Sequence, residues 1–256
     1  MLTSKPLYLL AISLLFSTVG SSQNPSFTSN ASYASFASNE TKFPGNLNTE
    51  DLLSWKRSSK DSLFILHKNG SFAKWADQGW SELIWYFEGG ANMFVDKDDN
   101  VWLLSTEIGL HKYKNGRFTF WGNTNERSGK NFIPSAKLYD MTQDGQGFYW
   151  ICSDEGILRF DGRGFILFDT KTSGLASNHT RSIVIDNKGM IWVGTADSGI
   201  VSFDGKTWKH YNTRNSALKA DNVSKLEIGA NRGLMVSHNA HRSGLGNAYL
   251  FSPRGH

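Results

Sequence analysis

Acidic side chains stand at a recurring place in this chain. Glu107, Asp154 with Glu155, and Asp197 each lie a few residues beyond a tryptophan set in an apolar run. A second polar group, Asn178, His179 and Arg181 with Asp221 and Asn222, comes just before the next apolar runs. Carboxylates and amides that converge from separate loops can bind sugar hydroxyls or a Ca²⁺ ion. His179 among Glu107, Asp154 and Asp197 offers a second chemistry, the metal- or histidine-centred site that a lactonase or lyase requires. Taken singly, each residue is also at home on a solvated loop, which is the simpler account. His238 and His241 are three apart in a stretch that reads as a long loop, without further ligands nearby, and carry no metal site. The chain has no Gly-rich phosphate loop, no Gly-X-Ser-X-Gly elbow and no zinc-protease motif. No catalytic residue, metal or cofactor is expected.

Stepping along the chain shows what must position these groups. Asp96 and Trp102, Asp144 and Trp150, and Asp186 and Trp192 are three pairs with the same spacing of six residues, and their tryptophans are 48 and 42 residues apart. Each pair is followed by a glycine and an apolar residue (Gly109-Leu110, Gly156-Ile157, Gly199-Ile200) and then by a second turn at Asn115-Gly116, Asp161-Gly162 or Asp204-Gly205. The aspartates tempt a catalytic reading, but a carboxylate in a tight hairpin turn bonds its own backbone, and that explains them. The tryptophans could stack on sugars. Their regular place inside a strand instead puts them in the core between repeats.

A period near 45 residues, built of short apolar strands with Gly and Asp between them, predicts a β-propeller of about five four-stranded antiparallel blades. The blades fall at about 48–88, 89–135, 136–180, 181–222 and 223–256. In the first, Phe64 to Phe72 aligns with Leu110 to Phe118, a third strand and its hairpin, and Trp55 falls near the tryptophan slot. In the last, Met235 replaces tryptophan and no outer strand follows Tyr249-Leu250-Phe251. Either the segment before the blades supplies that strand and closes the ring, the favoured arrangement, or the propeller is incomplete and exposes an edge. Ring geometry puts the second-to-third strand loops and the outer-to-inner connections on one face. That face gathers the candidate binding residues Glu107, Asp154, Glu155, His179, Arg181 and Asp197.

Residues 1–22 read as a secretory signal: Lys5, an apolar run from Leu7 to Phe16, then small residues to Ser22, with cleavage before Gln23. The run is short of the about 20 apolar residues a spanning helix needs. No later segment is apolar enough to span, so no membrane span is expected once the signal is removed. Residues 23–47, rich in Ser, Asn, Ala and Thr, read as a flexible leader. The single Cys152 excludes an internal disulfide and reads as a small buried residue in a strand. An exported chain without disulfides fits a bacterial periplasm or surface. A formal charge of +4 with the basic residues scattered excludes a nucleic-acid stripe.

The run Gly174-Leu175-Ala176-Ser177-Asn178-His179, then Ser182 to Asp186, Gly189 to Thr195, Gly199-Ile200 and Phe203-Asp204-Gly205 resembles the two-component regulator propeller repeat. The resemblance covers residues 90–212 well and 48–90 and 213–256 loosely. It implies a periplasmic sensor domain of a membrane histidine kinase that detects carbohydrate fragments. The chain departs from that pattern in showing no second membrane helix, no kinase segment and few repeats. The expectation is an exported, non-enzymatic binding module for a glycan fragment or protein partner. A lactonase- or lyase-like enzyme and a degenerate fragment of a larger sensor are the alternatives.

Overall fold

A computed structural model describes residues 52–60, 62–67, 72–76, 79–83, 91–122, 132–135, 137–238 and 248–253. The segments read above as a signal and a leader, 1–22 and 23–47, lie outside the described residues, as does His241. The described chain is all β, with no helix. The first blade consists of Leu52–Arg57 (β1), Leu63–His67 (β2), Phe72–Ala76 (β3) and Gly79–Leu83 (β4). The second consists of Ala91–Val95 (β5), Val101–Ser105 (β6), Leu110–Lys114 (β7) and Arg117–Trp121 (β8). Leu138–Gln143 (β9), Tyr149–Ser153 (β10), Gly156–Phe160 (β11) and Phe165–Phe168 (β12) form the third, and Thr180–Ile185 (β13), Ile191–Thr195 (β14), Ile200–Phe203 (β15) and Trp208–Tyr211 (β16) the fourth. Val223–Ile228 (β17), Leu234–His238 (β18) and Tyr249–Phe251 (β19) make a fifth blade that has three strands among the described residues. Each blade is an antiparallel meander from an inner to an outer strand.

One unit builds the hairpin between the first two strands of a blade. Asp96 accepts from the backbone N–H groups of Asp98 and Asn100 at 2.9 Å through one carboxylate oxygen, while the other takes the Trp102 Nε1–H at 2.8 Å. Trp150 donates likewise to Asp144 at 2.8 Å and Trp192 to Asp186 at 3.1 Å. The six-residue spacing is thus the reach of an indole back to its own turn. Where tryptophan is missing, so is aspartate. The same positions hold Ser58 and Phe64 in the first blade and Gly229 and Met235 in the fifth, although their turns keep the same backbone bond. Without an indole N–H to satisfy, the carboxylate has lost one of its two tasks.

This register corrects the reading of the first blade. Phe64 lies on β2, opposite Lys56, in the tryptophan slot, and Trp55 lies on the inner strand. Leu63–His67 is a second strand, not a third. The Asn69-Gly70 turn signal after it resembles the Asn115-Gly116 turn, which joins a third strand to a fourth. Left-handed backbone at Asp99, φ 59°, does the work that Gly147 and Gly189 do in the next two turns. The glycines Gly109, Gly156 and Gly199 have φ of 102°, 124° and 78°, and a Cβ on any of them would run into the backbone carbonyl at the end of the outer strand.

Packing is between successive blades. Trp102 lies against Tyr149 of the next blade at 4.6 Å between ring centroids and against Trp121 at 5.7 Å, with Phe160 beyond. Trp150 and Trp192 hold the equivalent places, packing toward the fourth and fifth blades, and all three indoles are buried. Trp208 and Tyr211 of β16 pack against those clusters. Phe64, Leu66 and Phe72 pack on Met93, Val101 and Leu103 to join the first two blades.

Buried polar groups on this scaffold set its acid tolerance. Burial holds the His111 imidazole, 2% exposed and close to Phe120, down to about 4. A histidine whose folded value is depressed contributes stability that is full above its unfolded value of about 6.5 and is lost as pH falls toward 4. Unfolding free energy measured across that window should drop by on the order of 3 kcal/mol, and His111→Leu should flatten the slope. An unchanged slope in that variant would assign the acid sensitivity elsewhere. The lowered carboxylates such as Asp96 act in the same direction, but only below about 4.

Candidate functional site

The loops after β6, β10 and β14 share one construction. A buried hydroxyl at the end of the second strand accepts from the loop backbone: Ser105 from Glu107 N–H at 3.0 Å, Ser153 from Glu155 at 3.2 Å, Thr195 from Ser198 at 2.9 Å. The device turns the side chains of Glu107 and Glu155 to solvent. Thr180, wholly buried at the start of β13, receives the Ser153 N–H at 2.9 Å and donates toward Ser153 and Gly156 carbonyls, tying the third blade to the fourth.

At that seam two predicted residues meet. Arg181 Nη1 donates to Asp154 at 2.8 Å, and its guanidinium lies 3.9 Å from the centre of the Tyr139 ring. The Tyr139 hydroxyl also bonds Asp154, and Lys137 Nζ stands 3.7 Å from the same carboxylate. Burial pushes the Asp154 carboxyl up. The bonds from Arg181 and Tyr139, with the charges of Arg181 and Lys137, outweigh it and hold the group below the usual carboxylate range. Arginine suits this place because its flat guanidinium can stack and donate together.

His179 and Asp197 form the second pair, Nδ1 to Oδ2 at 3.1 Å. Partial burial of Asp197 is outweighed by bonds from Ser177, His179 and Ser198, which lower its carboxyl. Both side chains are about half exposed. Among the described residues, no hydrogen bond or ion pair joins Glu107 or the Glu155 carboxylate to either pair. Asn178 and Asp221 prove to be braces, each accepting from a backbone N–H eight residues back, Thr170 and Thr213, at 2.8 Å. His238 lies on β18 rather than in a loop, with its ring nitrogens 3.0 Å from the Asn222 carbonyl and 2.9 Å from the Tyr249 hydroxyl. Among the described residues no three metal-ligating side chains cluster, and no helix is long and apolar enough to cross a membrane.

Repeat-based reading missed what lies at the axis. One position of the inner strand carries Ser54, Asn92, Asp140, Ser182 and Lys225 in the five blades. Asp140 gathers three of the others, Asn92, Ser182 and Lys225. One oxygen accepts from Ser182 Oγ at 2.8 Å, Ile183 N–H at 3.2 Å and Lys225 Nζ at 3.2 Å. The other takes Met141 N–H at 3.0 Å and Asn92 Nδ2 at 3.5 Å. Ser182 in turn accepts from Leu226 N–H at 3.0 Å. Four blades are linked through one carboxylate, and Lys56 of the first blade lies within electrostatic range of Asp140, Lys225 and Glu227. An aspartate between Tyr139 and Met141, in the apolar half of the strand, was the available signal.

Residues 174–197 match the family described as two component regulator propeller. The chain carries a two-component regulator propeller repeat. That propeller repeat spans Arg181, Trp192 and both members of the His179–Asp197 pair. No curated protein matches the chain in sequence. The extracellular domain of BT3049 from B. thetaiotaomicron, described as a hybrid two component system, is similar at a TM-score of 0.62 and 15% identity, over 81% of this chain. The chain spans 29% of the length of that domain. Virginiamycin B lyase from Staphylococcus aureus is similar at a TM-score of 0.58 and 13% identity, over 80% of this chain and 71% of the lyase. PorZ, a bacterial surface component of the type-IX secretion system of Porphyromonas gingivalis, gives 0.56 and 15%, over 83% of this chain and 33% of PorZ. At these identities the likeness concerns the propeller fold.

Proposed function

We propose that the chain is an exported, non-enzymatic propeller module that senses or binds a glycan fragment or a protein partner on the face carrying Asp154, Glu155, His179, Arg181, Asp197 and Glu107. The observation that carries this is the Arg181–Asp154 pair on the Tyr139 ring. It is a rigid, partly exposed donor and aromatic surface built from two blades, whereas the turns on the opposite face at Lys188 and Lys206 serve their own backbone. Propeller ectodomains of two-component systems support a sensing role. Their extracellular setting agrees with the signal-like residues 1–22, and periplasmic or secreted placement belongs to the same proposal.

The test is a glycan-array and pull-down screen with variants. Asp197→Ala and Glu155→Ala should change stability by no more than about 0.5 kcal/mol, as exposed loop substitutions do, yet weaken capture of whatever the screen retains. Loss of capture in Lys188→Ala or Lys206→Ala instead would place binding on the other face.

A second reading has one observation in its favour. Asp197 holds Nδ1 of His179 and leaves the other ring nitrogen to solvent, the arrangement of a general base, and a lyase shares the fold. Turnover of a lactone or cyclic ester, abolished by His179→Ala, would establish it.

A further inference from the structure

We infer that the axial end of this face takes a small ligand bearing a carboxylate or sulfate group, whose oxygens meet Lys225, Arg181 and Lys137. The inference rests on the binding reading above and narrows it to a ligand class. Its basis is a census of donors and acceptors. Two carboxylates of this region are used up within the protein. Asp140 accepts five hydrogen bonds, and Asp154 is engaged by Arg181 and Tyr139 with Lys137 beside it. The cations around them still face water: the side chains of Lys137, Lys225 and Arg181 are 63%, 40% and 29% exposed.

These groups occupy one region because the chain puts them on adjacent rungs. Tyr139 precedes Asp140 and Arg181 precedes Ser182. The Arg181–Tyr139 stack therefore lies beside the Ser182–Asp140 bond, to which Lys225 adds its amine. Lys56 enters from the first blade. Burial first, then the Lys225 charge, lower its ammonium to about 8 against the opposing pull of Asp140 and Glu227. Four cations, Lys56, Lys137, Arg181 and Lys225, thus face three carboxylates, Asp140, Asp154 and Glu227, two of them saturated. A neutral sugar hydroxyl gains little from such a surface. A calcium ion finds one carboxylate there, Glu227, outside these bonds, too few oxygens for its six to eight ligands. An oxyanion meets preformed donors whose attraction a partly dry site strengthens.

Calorimetric titration of the full chain with D-glucuronate, sodium sulfate and D-glucose tests this. Glucuronate and sulfate should bind, more weakly as NaCl rises, while glucose at the same concentration should not. Lys225→Met should weaken glucuronate binding about tenfold, the loss of one charge-assisted contact. Lys137→Met, at an exposed site that leaves the Asp140 network intact, should weaken it in the same direction. Glucose binding as tightly as glucuronate, no anion binding at all, or wild-type affinity in both variants would overturn the inference. A neutral glycan captured in the screen and lost in Arg181→Ala would leave the binding face standing and remove only its preference for anions. Anion binding abolished by Lys188→Ala but untouched by Lys225→Met would remove both.

Discussion

Trp102→Ala should cost about 3–5 kcal/mol of unfolding free energy, because the removed indole leaves a cavity between two blades and strips the contacts to Tyr149, Trp121 and Phe160. The ring is 1% exposed, so little of the loss can be recovered by solvent. Its partner sharpens the test. Asp96→Ala removes the acceptor for the Trp102 indole, the Asn100 amide at 2.7 Å and the Tyr149 hydroxyl at 2.7 Å, the last from the neighbouring blade. Each buried donor left unsatisfied costs about 1–3 kcal/mol. Asp186→Ala, which releases the half-buried turn and the Trp192 indole but no tyrosine of another blade, should cost less. The double variant Asp96→Ala/Trp102→Ala should fall short of the sum of the single losses, since both remove the same bond. Denaturant unfolding measures all four. A loss within about 0.5 kcal/mol for Trp102→Ala would mean that the indole is not part of the core.

Asp140→Ala should be comparably damaging, by about 3–5 kcal/mol, for a different reason. The side chain is small and leaves little cavity, but Ser182 Oγ and the Ile183 N–H are buried with no water to replace the carboxylate, and Lys225 loses its counter-charge. Asp140→Asn, which keeps an acceptor oxygen, should lie between. Lys225→Met should cost least of the three, because Asp140 retains four other donors and the amine was partly solvated. Equal losses for Lys225→Met and Asp140→Ala would show that the ion pair, rather than the hydrogen-bonded hub, holds the axis.

The blades were legible because their determinants repeat. Asp–Trp spacing, the glycine before the third strand and the second turn return three times, and each has one local geometric cause. The first blade was misread by one strand where the cause was absent. With Phe64 in the slot no indole reaches back, Ser58 suffices in the turn, and Trp55 nearby supplied a false landmark. The Asp140 hub escaped for the opposite reason. Its five positions, Ser54, Asn92, Asp140, Ser182 and Lys225, hold four residue types, so no repeated residue marks the position in the sequence. Of the six predicted face residues, the Arg181–Asp154 and His179–Asp197 pairs are joined in the structure. Which loop residues would pair depended on the offset between neighbouring blades, a quantity that no single repeat encodes.

The indole that bonds its own turn has a bearing on how the chain is made. Each such hairpin closes within about a dozen residues, and each aromatic cluster joins only consecutive blades, so nearly every stabilising contact waits for sequence that follows soon after. A polypeptide emerging amino end first from a ribosome or a translocation pore can therefore lock one blade while the next is still being delivered. The Lys225–Asp140 bond, 85 residues apart in sequence, is a late exception among the described residues. It cannot form until the fifth blade arrives, so the axis is the last part of the molecule to acquire its native electrostatics.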